Sequence, residues 1–253
     1  MKNFKKALVL VFSMLLAFQF LNAQNEQPTM YVVHTDHVKF NKIPQYEEVS
    51  KQMHDELVKH NSKATYTTIS VEDGRYVYVS PIENMADLDK NPMMETIEKM
   101  GKENANRMFA KMNECYDTHY DYILHHMPEL SYMPEGYSTE NKNAREYHFL
   151  YYPPKNADAM EKAMANVKKM FKEKGIKNGY NVFHSGFGAN ENYYMVEVAG
   201  EDTASIVMGG KENNEIMGEE GNAAMFGVIS LASKYDQVNA DIRPELSYTP
   251  TNN

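Results

Sequence analysis

Apolar positions along the chain alternate between short β-rich runs and longer stretches in which they recur every three or four residues. Residues 30–38 (MYVVHTDHV) form the first run and predict a strand. Over residues 44–60, Tyr46, Val49, Met53, Leu57 and Val58 share one stripe at helical spacing. Two more strand-like runs, residues 65–71 and 75–80, meet at Asp73-Gly74, a pair suited to a tight hairpin because glycine accepts positive φ. Residues 85–99 predict a short helix that leads into a longer one ending near residue 126. Ala105, Met108, Phe109, Met112, Cys115, Tyr116, His119 and Ile123 lie on one face of that longer helix. Residues 130–132 complete the set as a short strand.

The pattern then recurs. A strand is predicted at residues 146–152, a helix at 157–174, a hairpin with strands at 180–185 and 192–199, helical segments over 204–238 and a strand at 246–248. Gly175 and Asn178-Gly179 punctuate the helix end. The recurrence has a sequence marker. Met127-Pro128-Glu129-Leu130-Ser131-Tyr132-Met133-Pro134 matches Arg243-Pro244-Glu245-Leu246-Ser247-Tyr248-Thr249-Pro250 at six of eight positions, an offset of 116 from Pro128 to Pro244. The same offset carries Tyr31 onto Tyr147. Each P-E-L-S-Y-x-P copy is expected to close its unit as an edge strand. The predicted divisions are a leader (1–23), a first unit (24–134), a polar linker (135–144) and a second unit (145–253).

The leader combines Lys2, Lys5 and Lys6 with an apolar run from Ala7 to Leu21 and a small residue at Ala23, the pattern of a secretory signal peptide. The run is short for a membrane span, and no cysteine follows it, so the expectation is export to the periplasm or beyond, without membrane insertion after cleavage. Removing the leader leaves 23 basic against 35 acidic residues, a net charge of −12. With only Arg75, Arg107, Arg145 and Arg243 as arginines, such a chain is unsuited to nucleic acid. Cys115 is the sole cysteine and cannot staple the chain to itself.

A β-α-β-β-α-β order in each half is ferredoxin-like. Adjacent apolar residues in the strands (Val32-Val33, Phe149-Leu150) imply that both sheet faces are covered. With helices on one face, the other is expected to pack on the sister sheet. On this element order, repetition and length, the chain resembles the dimeric α/β-barrel superfamily. The expected fold is α+β, with two tandem ferredoxin-like units packed sheet to sheet. The resemblance also implies a class of chemistry, because the superfamily contains cofactor-free monooxygenases and haem proteins. Its haem-degrading members use a Trp, which is absent here, and its tandem haem proteins use a helical His in the second unit.

Seven of the nine histidines fall in the first half (His34, His37, His54, His60, His119, His125, His126), and His148 and His184 in the second. His119 and His126, two helical turns apart, are too distant to share a metal. His119 with Tyr122 and Cys115 forms a candidate ligand-binding patch, whose plainer reading is a hydrogen-bonded histidine on a half-buried face and a buried apolar thiol. His34 and Asp36 share a strand face and could chelate, or could form a solvated strand end. His184 opens H-S-G-F-G, a glycine-rich hairpin loop without the rest of a phosphate-loop motif. Five glycines between Gly209 and Gly227 are costly in a helix, so Gly209-Gly210 is read as a loop. No metal and no cofactor is required. Nineteen Met and eighteen Tyr permit an adaptable apolar pocket. The first expectation is therefore a non-catalytic protein that binds a small apolar or aromatic ligand or a protein partner, with candidate residues His119, Tyr122, Cys115, His34 and His184. The alternative is an oxidoreductase of the monooxygenase-like kind, cofactor-free or haem-dependent.

Overall fold

The computed structural model describes residues 29–251; the leader assignment lies outside the described residues. Eight strands form one closed antiparallel barrel: β1 (Met30–Val38), β2 (Thr67–Val71), β3 (Arg75–Ile82), β4 (Tyr116–His126), β5 (Ala144–Tyr151), β6 (Asn181–Ser185), β7 (Tyr193–Gly200) and β8 (Lys234–Ile242). The order around the barrel is β1-β3-β2-β8-β5-β7-β6-β4. This corrects the expectation of two ferredoxin-like units stacked sheet to sheet. The halves join edge to edge, through Ile69↔Ile242 to Val71↔Ala240 on one seam and Leu124↔Ser185 to His126↔Phe183 on the other. Closure satisfies the backbone groups that two open sheets would leave at their edges. The second strand face is covered as the apolar runs require, but by the barrel lumen. Val33, Ile69, Leu124, Tyr147, Tyr193 and Met195 pack there around a cavity of about 230 Å³.

Among the described residues, five α-helices lie outside the barrel: α1 (Ile43–Lys59), α2 (Met94–Met100), α3 (Lys102–Asn113), α4 (Ala157–Glu173) and α5 (Thr203–Ile229). Among the described residues, no helix is long and apolar enough to cross a membrane. α1 and α4 each hold 17 residues and follow the first strand of their half. Both bury a stripe against the sheet: Tyr46, Val49, Met53 and Leu57 on α1, and Met160, Met164 and Val167 on α4.

Two helix predictions overran. The expected helix to residue 126 stops at Asn113, and residues 116–126 (YDTHYDYILHH) form β4. The expected helix to 238 likewise gives way to β8 at Lys234. The positions that fit a 3.6-residue stripe (Cys115, Tyr116, His119, Ile123) say nothing of the tyrosines and threonine between them, which favour a pleated surface. Pairing with β1 along nearly its whole length holds β4 extended.

The P-E-L-S-Y segments are also not edge strands within their own units. Each forms a turn followed by a single bridge to the opposite half, Tyr132↔Tyr180 and Tyr66↔Tyr248. Ser131 Oγ accepts the Val182 N–H and Ser247 Oγ accepts the Thr68 N–H, both at 2.8 Å. Tyr132 donates to the Ile176 carbonyl at 2.8 Å and Tyr248 to that of Ser62 at 3.2 Å, just past the helix of the other half. Leu130 is buried among α4 residues, and Leu246 beside Tyr46 and Tyr76. The motif recurs because it latches each half onto the other.

Candidate functional site

Side chains alternate along β1 and β5, so one set faces the lumen and the other faces the helices. On β5 the outward set includes Glu146, His148 and Leu150. Between this face and the helices α4 and α5 lies a largely apolar cavity of about 370 Å³. Leu150, Met164, Phe171, Val196, Met217 and Val228 supply its walls, and Gly209 and Gly210 on α5 line it. These two glycines are helical, against the loop expectation. A Cβ at Gly210 would meet nothing within 4 Å, whereas one at Gly209 would meet Asn178 at 3.2 Å. The break in α5 falls instead at Gly218, with φ 62°.

One wall of the cavity is polar. His148 Nε2 lies 2.9 Å from Glu146 Oε1, and His148 Nδ1 lies 2.7 Å from the Tyr235 hydroxyl. Tyr235 is 3.0 Å from Gln237 Oε1, and Gln237 Nε2 donates to Glu146 Oε2 at 2.7 Å, which closes a ring of four side chains. β8 pairs with β5 at His148↔Gln237, so the barrel register sets this ring. Burial lowers the pKa of His148 against the opposing pull of Glu146. Burial also raises that of Tyr235. A neutral His148 donates Nε2–H to Glu146 and accepts the Tyr235 proton at Nδ1. A protonated one donates Nδ1–H to Tyr235, whose own proton turns to Gln237 Oε1. In the neutral state the Tyr235 proton serves His148, so the contact with Gln237 Oε1 carries no hydrogen bond; protonating His148 frees that proton for Gln237 and completes the ring, which suits a proton acceptor.

The corresponding face of β1 is different. His34 Nδ1–H donates to Asp121 at 2.8 Å and Nε2–H to Asp36 at 3.1 Å. The hydrogen bond to Asp36, helped by Asp121, lifts the His34 pKa to about 9 against the effect of burial. Asp36, 2% exposed, also accepts from Tyr46 at 2.6 Å. The Tyr46 hydroxyl lies 2.9 Å from that of Tyr78. His119 stands edge-on to His34 with ring centroids 5.4 Å apart.

Of the residues singled out in the sequence, His34 and His119 meet in this cluster, with His119 on a strand. Tyr122 is elsewhere, lining the lumen cavity, where burial pushes its pKa up to about 12. Cys115 is buried beyond the end of α3, with Sγ 3.2 Å from the Lys111 carbonyl, and burial raises its pKa. His184 sits on β6, 2.6 Å from the Tyr152 hydroxyl, and burial lowers its pKa. Sequence reasoning passed over Glu146, His148, Tyr235 and Gln237. Two signals pointed to them. Glu146-x-His148 has the strand spacing of His34-x-Asp36, and the offset of 116 carries His119 onto Tyr235.

No family model and no curated protein matches the sequence. Solved structures do resemble the fold. An anthrone oxidase-like protein aligns with a TM-score of 0.55 at 10% identity, covering 86% of this chain and 92% of its own. A candidate monooxygenase from Fusobacterium nucleatum subsp. nucleatum gives 0.54 at 9% identity over 86% and 94%. Another from Lactobacillus acidophilus NCFM gives 0.51 at 9% identity over 85% and 94%. At this identity the likeness speaks to fold alone.

Proposed function

We propose that the protein is a cofactor-free oxidoreductase of the monooxygenase-like kind, acting on a small aromatic substrate with an acidic C–H bond in the cavity over β5. The observation that carries this reading is an imidazole held between a carboxylate and a tyrosine on the polar wall of an apolar cavity, where burial lowers its pKa. A volume of about 370 Å³ is in the range of small-molecule sites. Tyr235, 44% exposed, is the group that touches substrate. It takes the substrate proton as its own passes to His148 Nδ1, and Glu146 stabilises the imidazolium that forms. The substrate carbanion then gives its electron pair to dioxygen. The proton held at His148 returns to the peroxide; the second C–H bond of the former methylene then breaks as the O–O bond does, the carbonyl forms, and the departing hydroxide takes that proton to become water. In balance, a methylene group and dioxygen give a carbonyl group and water. The names of the structural neighbours support oxidation of this kind as the class to test, and export belongs to the same proposal.

Haem, which the superfamily resemblance also implies, does not fit. His148, the histidine of the cavity wall, has both ring nitrogens engaged, and the cavity offers no other imidazole.

An oxygen electrode tests the proposal, with 1,8-dihydroxyanthrone as substrate in aerated buffer. The protein should exceed the spontaneous rate. Tyr235→Phe and His148→Ala should each reduce kcat/KM by roughly 10²–10⁴-fold, with the fold retained by circular dichroism. Uptake that persists in both variants overturns the assignment. Saturable ligand binding with no oxygen uptake would favour the binding-protein reading instead.

A further inference from the structure

The cluster on β1 is not used by the chemistry proposed over β5, and it has a composition of its own. We propose that His34, Asp36 and His119 form a binding site for a divalent first-row transition cation. One ligand atom from each of the three lies within 4.8 Å of the others; bonds of about 2.0–2.2 Å to one central ion span at most about 4.4 Å, a distance that a small turn of the exposed His119 ring brings within reach. The backbone fixes the placement. Asp36 and His119 are direct register partners across β1 and β4, and His34 lies two residues from Asp36 on the same face.

The surroundings match what a metal site needs beyond its ligands. Metal-binding histidines commonly donate the other ring N–H to a carboxylate, which fixes tautomer and orientation. Asp121 accepts that bond from His34 Nδ1 and leaves Nε2 toward Asp36 and His119. A ligating carboxylate is in turn held by a hydrogen bond. Tyr46 donates to the second oxygen of Asp36, and Tyr78 and Ser50 extend the chain behind it. Asp36 is fully packed, so its carboxylate cannot swing away. His119 is exposed and, among the described residues, makes no hydrogen bond to the protein, so its ring is available as a ligand.

The donor set defines the chemical class. Two imidazoles and one carboxylate favour zinc, iron(II) or copper(II) over magnesium or calcium, which prefer all-oxygen shells. Binding displaces the Nε2 proton of His34 and so releases a proton. Three ligands on one side leave coordination positions open on the side of the exposed His119.

The test uses the purified full chain, treated with EDTA and desalted. Titration with Co²⁺ followed by visible absorption, and with Zn²⁺ by calorimetry, should show one saturable equivalent, and visible ligand-field bands with Co²⁺. His119→Gln, an exposed position that should leave the melting temperature unchanged, is expected to weaken binding at least about 10-fold. Asp121→Asn should weaken it by roughly 10–100-fold as a positioning change. His60→Gln, outside the cluster and paired with Glu56, should leave the isotherm unaltered. Two results overturn the site: no saturable equivalent in the wild-type chain, or a wild-type isotherm in a folded His119→Gln variant. Neither depends on the activity assigned to His148.

Discussion

If the repeated P-E-L-S-Y segments latch the two halves of the barrel together, removing a single hydroxyl from each should cost far more than a surface serine normally does. Ser131 Oγ accepts the N–H of Val182, which is fully buried, and itself donates to the Met127 carbonyl at 2.9 Å. Ser247 Oγ does the same for Thr68, also fully buried, and donates to the Arg243 carbonyl at 2.8 Å. Ser→Ala leaves almost no cavity, so the packing contribution is small. What remains is an N–H in a dry seam with no acceptor, at a cost of about 1–3 kcal/mol. For a barrel of this size that corresponds to a fall in Tm of roughly 2–12 °C for each variant. The two serines sit on opposite seams and share no partner, so the double variant should lose the sum of the two, roughly 2–6 kcal/mol. Ser138, whose hydroxyl accepts an exposed N–H in the linker region, is the control, and Ser138→Ala should stay within about 0.5 kcal/mol of the parent.

Urea unfolding followed in parallel by tyrosine fluorescence and far-ultraviolet circular dichroism measures these differences. It also tests closure. One barrel hydrogen-bonded around its whole girth should unfold in a single transition common to both probes, and each latch variant should shift that transition as a whole. The reasoning fails if both variants fall within 0.5 kcal/mol of the parent. It also fails if Ser131→Ala shifts one of two separate transitions and leaves the other in place, since the halves would then be independent units.

Three further outcomes follow from the same contacts. Arg243 holds Glu47 in a short hydrogen-bonded ion pair, which with the Tyr76 hydroxyl lowers the Glu47 pKa. Its contribution is therefore present above the unfolded value near 4.3 and is lost as pH falls through the lower folded value. Glu47→Gln should cost on the order of 1 kcal/mol at pH 7 and flatten the acid limb of a stability–pH curve, and a limb as steep as the parent's would refute this. Burial lowers the pKa of His148, so the base form persists below pH 6.5 and the acid limb of kcat/KM should have its midpoint under that value; a midpoint above it would exclude His148 as the base. Gly210 sits in a helix with open space where a Cβ would go. Gly210→Ala should therefore stabilise by up to about 1 kcal/mol in thermal melts, and a loss of stability would mean that this part of α5 is not helical.

The sequence made the parts of the fold legible but not their closure. Period-3.6 patterns located α1 and α4, which each bury one apolar stripe, and short β-rich apolar runs located six of the eight strands, which are covered on both faces. They failed at β8 and at β4, where Cys115, Tyr116, His119 and Ile123 satisfy helical spacing although His119 and most of the residues between are exposed. The strand preference of the tyrosines and threonine in β4 is a weak local signal; pairing with β1 and β5 decides that these segments are extended. The repeat at offset 116 was legible and its role was not, because a latch onto the other half and an edge strand within the same half read alike in one dimension. At the β1 site, His34 and Asp36 could be paired from strand spacing, but His119 joined them only once its segment was extended. The β5 ring was hidden for the opposite reason. Its histidine belongs to the poorer half in histidine count, and two of its members, Tyr235 and Gln237, lie in a stretch read as helix.

The two halves use one scaffold to set opposite electrostatic conditions at corresponding places, and a few side chains decide which. His34 and His148 each stand on the helix-facing side of the first strand of their half. The residue paired with His34 on β3 is Tyr78, and the residue paired with His148 on β7 is Val196. Tyr78, together with Tyr46 and Ser50 from α1, fills the space under the helix with hydroxyls that lead to a buried carboxylate. Val196, with Met164 and Val167 from α4, leaves that space apolar and open. Two carboxylates then raise the pKa of one imidazole, while burial against a single carboxylate lowers that of the other. A charged, preorganised cluster is suited to exchanging its proton for a cation, and an imidazole whose pKa burial lowers, beside an apolar cavity, is suited to drawing a substrate proton through Tyr235. Exchanging Tyr78 for Val should therefore open the first half without creating the chemistry of the second, because Asp36 and Asp121 would still hold His34 protonated. The separation of roles lies in the carboxylates, and the cavity alone does not confer it.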